Sequence, residues 1–235
     1  MHYKKNTIFA LLIAVLFFAC AGSNNETASS DAVTYRQSQE EKLALLEKTY
    51  ATMQEKVMAN VPPESLLEFI TDSSRYWMDS LQLYAKTSPK ADVETKQFCE
   101  ILAVLFYRVN EYEKAWKPNM NSDYRMLSLV TGKAGLIQRA AGLKLGPFEV
   151  KNDRGSVGLA NSPKVPVIIF KWDDQNWKMD LRATLPLVTK GLESIGAKKN
   201  WTNTELALYL LEKEFHYKYT DIKFDETLLD PVPEF

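Results

Sequence analysis

Cysteine and histidine are nearly absent from this chain. Cys20 and Cys99 are its only cysteines, and His2 and His216 its only histidines. A His- or Cys-based zinc cluster needs more ligands than that, so none is expected. Nor is a disulfide framework, because two cysteines in 235 residues close one loop at most. Neither sign of charge dominates, with 29 basic and 30 acidic side chains; nucleic-acid binding, which wants a basic stripe, is disfavoured. No G-x-S-x-G nucleophile turn occurs. Gly132-Lys133 lacks the spacing of a phosphate-binding loop, so no cofactor is expected. Long apolar runs are also missing, with one exception at the amino end, and no later stretch is apolar for long enough to cross a bilayer.

That exception organises the reading. Lys4 and Lys5 give a positive start, residues 7–19 (TIFALLIAVLFFA) carry no charge, and Cys20 follows. A basic start, a short apolar run and a small residue at its end are the marks of an export signal. Leu16-Phe17-Phe18-Ala19-Cys20 resembles the lipobox of bacterial lipoproteins, in which the signal is cut before a lipid-modified cysteine. The resemblance implies a signal peptide at 1–19, fatty acylation of Cys20, and tethering to a membrane without a protein span. More than one acyl chain gives stable anchoring, since each buried methylene contributes roughly 0.8 kcal/mol and a single chain holds only marginally. Ala21 stands where many Gram-negative lipoproteins carry an Asp that retains them in the inner membrane, so the resemblance favours the outer membrane of the cell envelope. The alternative is an ordinary secretory signal with Cys20 a bystander. Removing 1–19 takes away Lys4 and Lys5 and leaves 27 basic against 30 acidic residues and one histidine. Cys99 then has no intramolecular partner.

Residues 20–35 form the lipidated cysteine and a small, polar, flexible tether, and residues 36–235 one globular domain. Over 37–60, Leu43, Leu46, Tyr50, Met53 and Val57 recur at helical spacing, with Glu40, Glu41, Lys42, Glu47 and Lys48 on the wet side. Val61-Pro62-Pro63 breaks that helix, and Pro63 suits the first turn of a second. There Leu66, Ile70, Trp77, Leu81 and Tyr84 share a face, and Ser88-Pro89 ends it. Asp92 is the expected cap of a third helix, whose stripe is Phe98, Leu102, Leu105, Val109, Tyr112 and Trp116, widened by Cys99 and Phe106. A fourth starts near Ser122 or Asp123, with Leu127, Val130, Ala134 and Ile137 inward.

The period then falls to two. Short strands are expected at 148–151 and 157–160, and a hairpin at 165–172 and 177–181. Its loop sets Trp172 opposite Trp177, Phe170 opposite Met179 and Ile168 opposite Leu181, with Lys171, Lys178 and Asp180 on the other face. Such a one-sided sheet must be covered by helices. Residues 182–197 read as a fifth helix with Pro186 in its first turn. Thr202 and Glu205 have capping-box spacing ahead of Leu206, Tyr209, Leu210 and Phe215. Residues 225–235 read as an extended tail. The fold class is α+β: amino-terminal helices on an antiparallel meander of about four strands, then carboxy-terminal helices. Residues 174–181 (DQNWKMDL) at the end of that meander are similar to the final hairpin of NTF2-like envelope domains, a likeness that spans 146–181. It implies either an NTF2-like cone with a helical extension or a helical domain carrying a small sheet.

In NTF2-like domains the inward aromatics surround a cavity, so the resemblance marks Trp77, Tyr84, Phe106, Trp172 and Trp177 as the place for a ligand; at helical spacing such residues are more often plain core. Among carboxylates, Asp72, Asp79, Asp173-Asp174 and Asp180 are candidates for a base or a cation ligand, against turn and surface roles. Cys99 behaves as a small hydrophobe. His216 lacks a nucleophile motif. The expected function is a tethered, non-enzymatic envelope module binding a protein partner or a small apolar ligand. The alternative is an NTF2-like isomerase or hydrolase with a carboxylate base in the aromatic region.

Overall fold

The computed structural model describes residues 31–113, 121–131, 145–173, 176–215 and 222–232. Cys20 and the expected signal peptide, Trp116, Ala134, Ile137 and His216 lie outside the described residues. Helix α1 (Asp31–Met58) starts inside the stretch expected to be tether. It buries Leu46, Tyr50, Met53 and Val57 of the expected stripe and leaves Leu43 half-buried. It ends before the prolines: Asn60 takes the left-handed conformation (φ 55°), its N–H donates to Val57 O and that of Val61 to Lys56 O. This is a Schellman stop, in which two orphaned carbonyls are satisfied and asparagine tolerates the positive φ.

The expected second helix is two elements. Pro63–Phe69 forms a 3-10 turn, Ile70 is extended and bridges Met179 in parallel, and only then does α2 (Asp72–Thr87) begin. Thr71 makes the break: its N–H donates to Met179 O while its hydroxyl accepts from Ser74 N–H as the N-cap. The stretch 70–71 thereby closes part of an exposed strand edge. A second correction concerns Asp92, which lies in the short helix α3 (Lys90–Val93) and caps nothing after it. Gln97 is the N-cap of α4 (Phe98–Tyr112), with Glu100 completing a capping box. Helix α4 packs against α2 and both later long helices. Tyr112, expected in its stripe, is exposed. After an Asn121-capped 3-10 turn, Ser122–Tyr124, α5 (Arg125–Thr131) buries Leu127 and Val130.

The sheet is a four-stranded antiparallel meander, β1 (Leu145–Lys151), β2 (Arg154–Leu159), β3 (Ser162–Asp173) and β4 (Asn176–Met179), in sequence order. The protein is thus α+β, helical at both ends. Asn152 (φ 57°) turns β1 into β2. Trp172 pairs with Trp177 and Phe170 with Met179, as the alternation requires, but Ile168 pairs with Val157 and not with Leu181. The chain leaves the sheet two residues earlier, because Asp180 becomes the N-cap of α6 (Leu181–Lys198), its carboxylate accepting from Ala183 N–H. Where β4 has run out, the Thr184 hydroxyl accepts the Ile169 N–H at 3.0 Å. Nor is the sheet one-sided: Ile169, opposite in phase to Ile168 and Phe170, is buried too, and α6 packs against β3.

Pro186 stands in the second turn of α6 rather than the first. Helix α7 (Asn203–Phe215) opens with the expected capping box: Glu205 N–H donates to Thr202 Oγ1, and the Glu205 carboxylate accepts Thr202 N–H at 2.7 Å. The Thr202 N–H bond first, and then the Thr202 hydroxyl donating at 3.0 Å, hold the Glu205 carboxyl below its usual range. Its stripe is Leu206, Ala207, Leu208, Leu211 and Phe215, and Tyr209 points outward. The carboxy-terminal stretch is a correction as well. Glu226–Leu229 is a 3-10 turn capped by Asp225, and Leu228 and Leu229 are buried in the common core. Paired leucines in one short turn carry enough apolar surface to dock it.

Candidate functional site

The five aromatics expected to line a ligand site fall on three seams. At the sheet, Trp172 and Trp177 meet edge to face with centroids 5.1 Å apart. Trp177 is 1% exposed and donates its indole N–H to Lys42 O at 2.7 Å. The Lys42 ammonium lies 4.8 Å from the Trp172 ring centroid and bonds Asp153 at 2.9 Å. Lys42, expected on the wet face of α1, is therefore drawn down against the sheet, its stem covering apolar surface. On α2, Trp77 is half-buried and donates to Glu100 at 2.9 Å, while Tyr84 lies under the Lys96 ammonium at 4.3 Å. Phe106 of α4 faces Phe215 of α7 at 5.2 Å, and Phe215 stacks in turn on Phe224. The structure unites the tryptophan pair and gives the other three separate partners.

The carboxylates sort by what holds them. Asp180 is the N-cap of α6 and lies 3.5 Å from the Ser74 hydroxyl, which itself accepts Leu181 N–H. Asp173 pairs with Lys178 at 2.8 Å, and Asp72 with Arg75 at 3.4 Å. Asp79 is pushed up, by burial first and then by the nearby Asp123 charge against the opposing pull of Arg75, yet it sits on an exposed face of α2. Asp174 is outside the described residues. Cys99 is buried, and burial raises its thiol to about 12, which leaves it protonated and unreactive. Among the described residues no group of three or more His, Cys, Asp or Glu side chains is arranged to hold a metal ion.

Two constellations escaped the sequence reading. The first is Arg108, 0% exposed, in the middle of the apolar stripe of α4. Its guanidinium donates to Ala85 O at 2.8 Å, Ser88 O at 2.6 Å and Leu228 O at 3.2 Å. The first two carbonyls lie at the carboxy-terminal end of α2, where the helix dipole favours a cation. Burial lowers its pKa to about 10, so it remains charged at neutral pH. A lone arginine inside Phe98-to-Val109 apolar sequence was the available signal, since such a charge must find acceptors wherever it is buried.

The second joins α6 to α7. Asn200 (φ 56°) donates to Ala197 O and Trp201 N–H to Gly196 O, another Schellman stop; Thr202 then caps α7. Two caps in succession fix the half-buried Trp201 against Tyr209, with centroids 4.8 Å apart and planes inclined at 51°. The Lys199 ammonium lies over both rings, 4.4 Å from Trp201 and 5.5 Å from Tyr209, and Lys213 lies 5.5 Å from Tyr209. Lys198, Lys199, Tyr209 and Lys213 are all exposed. The run Lys198-Lys199-Asn200-Trp201, followed by Tyr209, is visible in the sequence; the two caps that bring Tyr209 under Lys199 are not. No protein family, curated protein or solved structure matches the chain.

Proposed function

We propose that this protein is a lipid-anchored lipoprotein of a Gram-negative-type cell envelope whose α+β domain acts as a binding module and not as an enzyme. The anchor rests on Lys4-Lys5, the uncharged run 7–19 and Cys20. Among the described residues no helix is long and apolar enough to cross a membrane, which is compatible with tethering by lipid. The observation that carries the non-enzymatic reading is the use made of Asp180: the carboxylate best placed by the NTF2-like resemblance to act as a base accepts the α6 N-terminal N–H instead. A general base must reach a substrate proton, and a cap is already engaged.

Mass spectrometry of the protein purified from its native membrane tests the anchor. The expected product begins at an acylated Cys20; a free thiol there or an intact leader sinks it. Cross-linking in intact cells, followed by identification of what is attached, tests the module: an envelope protein or apolar ligand is expected, and turnover abolished by Asp180→Asn in a correctly folded protein would replace binding with catalysis.

A further inference from the structure

We infer that the Trp201–Tyr209 pair with Lys199 and Lys213 is a docking surface for an anionic lipid bilayer. Trp and Tyr carry an apolar body with one polar edge and favour the headgroup level of membranes. Exposed lysines beside them supply charge opposite to that of phosphate headgroups. The patch is preorganised: the Schellman stop after α6 and the Thr202–Glu205 capping box of α7 hold its two ends, and one ammonium bridges both rings. Glu205, the acid nearest in sequence to Trp201, is turned back on Thr202 N–H and hydroxyl. A sugar platform is the poorer match, because stacking on a pyranose needs a bare flat face, and here the planes are inclined at 51° with Lys199 over both rings. The inference extends the tethered reading, in which a short leash keeps the domain near a bilayer, and this surface then sets which side faces it.

The test uses the full chain with Cys20→Ser, which removes acylation, sedimented with vesicles of phosphatidylcholine alone or mixed with phosphatidylglycerol. The leader is common to every variant, so differences between variants report the patch. Partition into the anionic vesicles is expected to exceed that into the neutral ones and to fall as salt rises. Lys199→Gln with Lys213→Gln should weaken it about 25-fold, at about fivefold per lysine. Lys86→Gln with Lys151→Gln, the same change of net charge at other exposed positions, should leave it intact. Anionic-vesicle partition unchanged by Lys199→Gln with Lys213→Gln, or an equal loss in the two double variants, overturns the surface. Mass spectrometry of Cys20 reads the anchor separately, so either idea can fail while the other stands.

Discussion

At the sheet end of the domain, Trp177 is buried with one hydrogen bond, to Lys42 O of α1. At the helical end, Arg108 is buried equally deeply with three, to carbonyls of α2, the residue that follows it and the carboxy-terminal turn. The tryptophan gains by leaving water, since its ring is apolar and its single N–H finds an acceptor. The arginine loses hydration by burial and recovers it through three charge-assisted bonds, each worth about 1.5–3 kcal/mol. The sheet end is therefore held by ladder pairing between strands and by one tie to a single further element, the bond from Trp177 to Lys42 O of α1, 135 residues away. The helical end is held by one side chain tying together segments 20 to 120 residues away. Damage should accordingly stay local in the first and spread in the second.

Arg108→Met gives the largest expected effect. It keeps the volume but strips donors from three buried carbonyls, and urea unfolding should show a loss of about 3–5 kcal/mol. Hydrogen exchange should show early opening of both 222–232 and the end of α2; opening confined to α4 would break the comparison. Next comes Gly155→Ala, at the sheet end. A Cβ there would meet Leu46 Cδ2 at 2.8 Å and the Trp177 ring at 3.2 Å, and overpacking costs about 1–3 kcal/mol. Opening should be limited to α1 and the sheet. Trp177→Phe keeps an aromatic ring but leaves Lys42 O without its indole donor, a loss of about 1–3 kcal/mol; an unchanged urea midpoint would mean that bond carries nothing. Thr202→Ala removes a cap and should cost about 1 kcal/mol, read as a lower thermal midpoint with the fold retained.

The smallest effect at neutral pH appears only in alkali. Burial raises Tyr50 and Tyr107 from 10.0, and Cys99 from 9.0, to about 12. Each neutral form is favoured in the folded chain, so their stabilisation is complete below pH 9 and is lost as pH rises toward 12. Three such losses predict falling stability above pH 9. Cys99→Ala should flatten the start of that fall, and Tyr50→Phe, at the sheet end, a later part of it. A urea midpoint constant from pH 8 to 11 would remove the argument.

Elements with a local signature were legible. The α1 stripe, the Trp172–Trp177 register and the Thr202–Glu205 box each depend on residues a few places apart, where spacing fixes who meets whom. The expectations that failed were settled by distant partners. Nothing within 63–87 says that Thr71 will donate to Met179 O and split a helix in two. Leu181 looks like strand until Asp180 is seen capping α6. The tail looked extended because its paired leucines have no local partner; theirs lie in the core that Arg108 stitches shut. Of the aromatics, periodicity set Trp77, Tyr84 and Phe106 against the core but also turned Tyr112 and Tyr209 inward, which are exposed. It did not say which would share a seam, since that depends on how the helices pack.

The sequence by itself determined the basic start and uncharged run that precede Cys20, the α+β order of elements and the pairing of Trp172 with Trp177, because charge, hydropathy and a period of two are properties of the chain alone. Only the tertiary structure decided that Arg108 joins three segments and that Lys199 bridges Trp201 and Tyr209. Both depend on acceptors and rings brought together by folding, and a buried charge or a bridging cation is specified by its surroundings rather than by its neighbours in sequence.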